Sequence, residues 1–297
     1  MNKFFGFPIL VAFLLGYYFP YFALSNSSFA FFILIIMMTL VFIQFDFNFF
    51  KELKKLKLQL FMGIVTAFIF TPIVQWLLAR FFVHEESLSY GTYIASLCPI
   101  AIVAPMFTAH KKGNVALSFL FMITTTILFP IFYALHLMIF KSPTVEIKIG
   151  PVFLDAFLLI IVPLILAIIG KISFKGMKDK LAKVTPTFNM LAIAFFAFVY
   201  FGASTSKLNL YYTPIKELVA IVLIIVFQDF GTYFFSRWFF SKIFNEEDAK
   251  ALAISLGMKN FAITGGLLLF YDPKASLASA IGFFIHALYY NFLSYKD

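Results

Sequence analysis

The chain is poor in charge. Asp, Glu, Lys and Arg make up 12% of its 297 residues, against 62% that are hydrophobic. Soluble domains carry about a quarter charged residues, so this balance excludes an ordinary water-soluble globule. Cysteine is nearly absent: the single residue, Cys98, rules out an internal disulfide and leaves the compartment open. Long polar stretches are missing, so no linker and no soluble domain is expected. Also missing are a glycine-rich phosphate loop, a metal-ligand cluster and any Ser/His/Asp spacing suited to nucleophilic catalysis. Neither enzymatic activity nor a bound metal or cofactor is expected. Acidic residues number 14 against 23 basic ones, a net charge of +9. In a soluble protein that excess would suggest nucleic acid. Here the basic residues flank apolar runs, so the lipid bilayer and topology account for them and nucleic acid is excluded.

What is present is a series of apolar runs, roughly 18 to 28 residues each, long enough to cross hydrocarbon. They read as ten spans: Phe4–Tyr21, Phe29–Phe45, Leu58–Phe82, Leu88–Ala109, Val115–Phe140, Val152–Ile172, Thr187–Ser204, Pro214–Phe240, Ala249–Phe270 and Ser276–Tyr295. The expected fold is an all-α polytopic membrane protein of ten transmembrane helices, a single unit over 1–297 that acts as a monomer. The first run begins almost at Met1 without a small-residue cleavage site, which argues against a removable signal peptide. Lysines 51, 54, 55, 57, 111, 112, 171, 175, 178, 180 and 183 fall on one side of this arrangement. By the positive-inside rule both termini are expected in the cytoplasm; the expected location is the cell's inner (plasma) membrane. Five spans per half puts the halves in opposite orientation, an inverted repeat of about 1–149 and 150–297.

Two spans are interrupted. Cys98-Pro99-Ile100-Ala101-Ile102-Val103-Ala104-Pro105 holds two prolines that oppose a continuous helix. In the ninth span, Ser255-Leu256-Gly257-Met258-Lys259-Asn260 places a lysine and an asparagine at mid-membrane between helix-weakening glycines. A charge at that depth costs about 3 kcal/mol on insertion scales, so it marks function and calls for a partner. A helix restarting at the midplane presents free N–H groups and a positive dipole end, which favour an anion. Paired breaks, one in each half, point to a transporter's binding site. The alternative is that these residues only kink packed helices, as is common in membranes.

At these residues the sequence resembles the bile acid/sodium symporter family. Cys98 to Ser118, CPIAIVAPMFTAHKKGNVALS, follows the family pattern without a gap. Ser255 to Asn260 looks like the family's Glu-x-Gly-x-Gln-Asn motif, Met37 to Phe47 its second helix, and Met62-Gly63 through Pro72 its third. The resemblance implies panel helices 1, 2, 6 and 7, core helices 3–5 and 8–10, crossing unwound helices 4 and 9, and alternating access for organic anions. It also implies two sodium ions held at the crossover. The ion-site equivalents here are Ala104, Pro105, Ser118, Met122, Ala67, Ser255 and Lys259, and almost no oxygen ligands remain among them.

The reading that follows makes Lys259 a built-in cation. Its ammonium would hold the unwound segments through backbone carbonyls and attract an anionic substrate. It could also release a proton during the cycle, which adds protons to the expected partners. Asp229, midway along the eighth span, is the expected counter-ion; a static Lys259–Asp229 bridge that fixes helix register is the bland alternative. The expected substrate-binding residues are Lys259, Asn260, Ile102, Ala104 and His286. Thr124, Thr125 and Thr126 are expected to bond back to their own helix, Asp155 to sit at the interface and His136 to be packed or interfacial. The function expected is sodium-independent transport of a small or amphipathic organic anion. Left open are a non-transporting sensor and a sodium-coupled symporter with a rebuilt ion site.

Overall fold

A computed structural model describes residues 6–44, 51–140, 149–173, 177–208 and 213–294. Asp46-Phe47, Lys175 and the outer ends of the first, second and tenth expected spans lie outside them. Every extended secondary-structure element among the described residues is a helix, as a bilayer requires of backbone that must satisfy its own polar groups. In order they form α1 (Gly6–Tyr18), α2 (Pro20–Ser25), α3 (Ser27–Ile43), α4 (Lys57–Val65), α5 (Thr71–Phe82), α6 (Glu86–Ser96), α7 (Ala104–His110), α8 (Val115–Ile139) and α9 (Ile149–Ser173). They continue with α10 (Met177–Lys207), α11 (Ile215–Val226), α12 (Thr232–Phe240), α13 (Glu246–Leu256), α14 (Phe261–Tyr271) and α15 (Leu277–Ser294). Six stretches, beginning at Lys57, Val115, Gly150, Lys183, Ile215 and Pro273, are long and apolar enough to cross a membrane. Large apolar side chains such as Phe7, Leu14, Phe61, Phe81, Ile172 and Ile215 face outward, as lipid contact demands. The protein is a multi-pass membrane protein.

The helices depart from the expected spans where local chemistry overrides hydropathy. The first apolar run is not one helix: Pro20 holds the preceding Phe19 out of the helical region (φ −124°, ψ 52°), and α2 starts afresh. α10 begins at Met177, well before the expected Thr187, because Lys178 to Pro186 is polar yet helical. Two spans also contain a wider turn. Between α4 and α5 the chain makes a π-helical turn, Thr66–Phe70, and between α11 and α12 a second, Phe227–Gly231. Such turns leave carbonyls without their usual donors. α6 and α7 are separated by residues 97–103, and α13 and α14 by residues 257–260.

Candidate functional site

The two breaks meet. The N–H of Ala101 donates to the Met258 carbonyl at 2.7 Å and that of Asn260 to the Pro99 carbonyl at 2.8 Å. Ile100 and Lys259 thus form an antiparallel bridge, the one β-pairing among the described residues. Cys98 Sγ lies 2.6 Å from Thr264 Oγ1, and the Ile100 N–H donates to Thr125 Oγ1 at 3.2 Å. Backbone groups orphaned by the breaks satisfy one another, which is how non-helical chain persists at membrane depth. Gly257 lets the second break pack against α15 and the second π turn: a Cβ there would lie 2.5 Å from the Tyr289 hydroxyl and 2.7 Å from the Asp229 carbonyl.

Lys259 is 1% exposed, and its ammonium donates to the Ala67 carbonyl at 3.3 Å. Ala67 offers that carbonyl for a reason legible in the local geometry. The Thr71 N–H is taken by the Thr66 carbonyl in the π turn, and the next residue, Pro72, has no N–H to give. The Phe68 carbonyl is freed in the same way and accepts from His136 Nε2 at 2.7 Å. That bond puts the hydrogen on Nε2, so His136 Nδ1 accepts from the Tyr93 hydroxyl, 2.5 Å away. One proline thereby exposes two carbonyls, one for the lysine and one for a buried histidine.

Asp229 is not the direct partner of the ammonium. It lies within electrostatic range of Lys259, but its nearest cation-forming group is His286, with Oδ2 3.4 Å from Nε2. The same Nε2 accepts the Lys259 backbone N–H at 3.2 Å, and His286 Nδ1 stands 3.3 Å from the Tyr290 hydroxyl. The imidazole thus stands against both the Asp229 carboxyl and the Lys259 backbone N–H.

The remaining ion-site equivalents do not assemble an oxygen cage. Ser118 Oγ and Ser255 Oγ are bonded to each other at 2.8 Å. Ala104, Pro105 and Met122 carry no side-chain oxygen, and Ala67 contributes the carbonyl already taken by Lys259. These residues do not fit sodium bound through side-chain oxygens at those positions. Thr124, Thr125 and Thr126 bond back to the carbonyls of Leu120, Phe121 and Met122.

Two adjoining cavities flank the crossover. The smaller, about 40 Å³, is lined by Ala101, Ile102, Asn189, Lys259, Asn260 and His286 among others. The larger, about 520 Å³, lies toward Gln44, Pro105, Met106 and Thr185, with apolar walls from Phe119, Met122 and Ile193. Ile102 borders both. Ala104, expected to bind substrate, is fully buried in the core and borders neither cavity. Asn260 borders the smaller one with its Nδ2 unpartnered. Asn189 and Tyr290 border both cavities and were missed in the sequence, although an amide inside an apolar span was a visible signal at Asn189.

The profile of the Sodium Bile acid symporter family matches residues 31–209. The chain is 25% identical over 280 residues to the "Uncharacterized sodium-dependent transporter YocS" of Bacillus subtilis (strain 168), covering 93% of this chain and 85% of that protein. It is 22% identical over 232 residues to the "Probable sodium/metabolite cotransporter BASS2, chloroplastic" of Oryza sativa subsp. japonica. That match covers 76% of this chain and only 53% of the rice protein. With more than half of its length matched by the family profile, and the crossed breaks in place, the chain belongs to the Sodium Bile acid symporter family.

Proposed function

We propose that the protein is a secondary transporter of small or amphipathic organic anions, working by alternating access without sodium, with Lys259 standing in for a bound cation. The observation that carries this reading is the Lys259 ammonium on the Ala67 carbonyl, directly behind the bridge that joins the two breaks. An ammonium there performs a cation's task of tying the π turn to the crossover, and it repels a second cation. The names of the two relatives include sodium. In this chain the bonded Ser118–Ser255 pair and the oxygen-free side chains at Ala67, Ala104, Pro105 and Met122 favour independence from it.

The finer architecture belongs to the same proposal. The helices group into ten membrane segments in two inverted repeats, 1–149 and 150–297, each with one π turn and one break, features supporting internal symmetry. α1–α3, α9 and α10 form the panel and the other helices the core. With both termini cytoplasmic in a plasma membrane, the larger cavity opens inward. The substrate is a single organic anion whose charged end lies by Asn260 and His286 and whose body occupies the apolar cavity; the protein acts as a monomer.

Flux into proteoliposomes tests this. Uptake of organic anions is expected in potassium or choline media at rates that added sodium at fixed ionic strength leaves unchanged. Lys259→Ala and Lys259→Gln are expected to lower uptake at least tenfold. Uptake that rises steeply with sodium, or normal transport by both variants, overturns the reading. Binding without uptake under every gradient leaves a sensor instead.

A further inference from the structure

Among the described residues, the two other buried carboxylates are well supplied with donors. Glu217 accepts the N–H groups of His84 and Glu85, and Asp248 accepts from Gln59, Asn114 and Asn245. Asp229 differs: it is 0% exposed, and neither carboxyl oxygen has a hydrogen-bond partner. An ionised carboxylate left so in a low-dielectric interior carries a large desolvation penalty with nothing to offset it.

His286 supplies the missing chemistry. Its Nε2 accepts the Lys259 N–H, so that nitrogen carries a lone pair and the ring hydrogen sits on Nδ1, facing the Tyr290 oxygen. A lone pair 3.4 Å from Asp229 Oδ2 would repel a carboxylate and attract a carboxylic acid O–H. We propose that Asp229 and His286 form a proton-binding site in which the Asp229 carboxyl holds the proton in this conformation, and that releasing it detaches His286 from the Lys259 backbone. The coupling role rests on the transport reading above; the occupancy of Asp229 does not.

The step balances with one proton. The Asp229 O–H gives its proton to His286 Nε2, and the Nδ1 proton leaves past Tyr290 toward the cavities that both residues border or adjoin. Asp229 becomes a carboxylate, His286 remains neutral with its hydrogen on Nε2, and the pair passes from charge 0 to −1. Nε2–H then donates to Asp229, and the Lys259 N–H loses its acceptor beside the Ile100–Lys259 bridge. The groups that act electrostatically on Asp229 are His286 of α15 and Lys259 of the crossover, and Asp229 acts in turn on Tyr289 and Tyr290 of α15. Tyr233, on its own helix, faces Tyr289. Helices α5, α6 and α13 also pack against α11 and α12, and none of their side chains is among the groups that act on the carboxyl. A metal ion is the weaker occupant, since Lys259 opposes it and no group of three His, Cys, Asp or Glu side chains forms among the described residues.

Difference infrared spectroscopy of the purified full-length protein, titrated with acid and alkali in sodium and in choline salts, tests the assignment without needing a substrate. The wild type is expected to show the C=O stretch of a protonated carboxylic acid at neutral pH. Alkali should remove it as the Nε2–H histidine bands appear, equally in both salts. Asp229→Asn should lack the band, and His286→Gln should keep it with a displaced titration. Isotope-labelled aspartate in the wild type must shift the band, which keeps the test intact if a variant fails to fold. A band absent at neutral pH, unchanged in Asp229→Asn, or removed by sodium instead of alkali overturns the proposal. Because the readout is not flux, its failure leaves the transport reading standing, and failed flux leaves this one standing.

Discussion

Ser118 and Ser255 illustrate how single residues set this site. Each is buried, and each is the other's partner at 2.8 Å. Removing one hydroxyl leaves the other unpaired in an apolar interior, where such bonds contribute about 0.6 to 1.7 kcal/mol. Ser118→Ala and Ser255→Ala should each lower the melting temperature in detergent. The double variant should be destabilised by less than the sum of the two, and sodium should alter none of the three. A double variant at the full sum would mean that the hydroxyls do not depend on each other. Lys259 was readable in the sequence as an expensive charge, whereas its acceptor was not. The Ala67 carbonyl lies 192 residues away, and backbone groups have no letter in a sequence. That Asp229 acts on Lys259 only at a distance was hidden for a related reason, since hydropathy places both residues at one depth but does not say which side chain stands beside the carboxyl. The side chain beside that carboxyl is His286, which also accepts the Lys259 backbone N–H.

At the scale of elements, the breaks were legible because proline, glycine and a mid-membrane charge all mark them. The π turns were not. Their extra residue shows no hydrophobic period, and Pro72 acts by withholding a donor from carbonyls that precede it. Close packing between elements was equally hidden. Gly91 of α6 lies against the Ala275 backbone in the 3₁₀ turn Pro273–Ser276, where an added Cβ would collide with the carbonyl oxygen. Backbone cannot step aside as a side chain can, so Gly91→Ala should cost about 1–3 kcal/mol or more. A thermal melt should show it. An unchanged melting temperature would mean that the α6–turn contact yields easily.

Over the whole molecule, contacts and space are unevenly divided. At the end away from the larger cavity, the Tyr271 hydroxyl bonds the Asp155 carboxyl, and Ser204 Oγ donates to the Lys274 carbonyl. Near the crossover the Tyr200 hydroxyl donates to the Ala262 carbonyl. Asp155 is therefore engaged with α14 and is not only a residue at the water interface. No volume could be read from the sequence, because cavities depend on which bulky side chains turn away. If alternating access operates, loosening this closed end should favour the opposite state. In a Cys98→Ser background, a cysteine introduced by Ala101→Cys should react several-fold faster with an impermeant thiol reagent from outside after Tyr271→Phe. Equal rates would count against a latch at that end.

The bridge between the broken helices has a consequence for inheritance. Its two bonds, Ala101 to Met258 and Asn260 to Pro99, use only main-chain N–H and C=O groups. Codon changes at Ile100, Ala101, Met258 and Lys259 leave those atoms in place unless they introduce proline at a donor. The joint can thus persist through long sequence drift, while the side chains around it are free to exchange one ion, or one proton, for another.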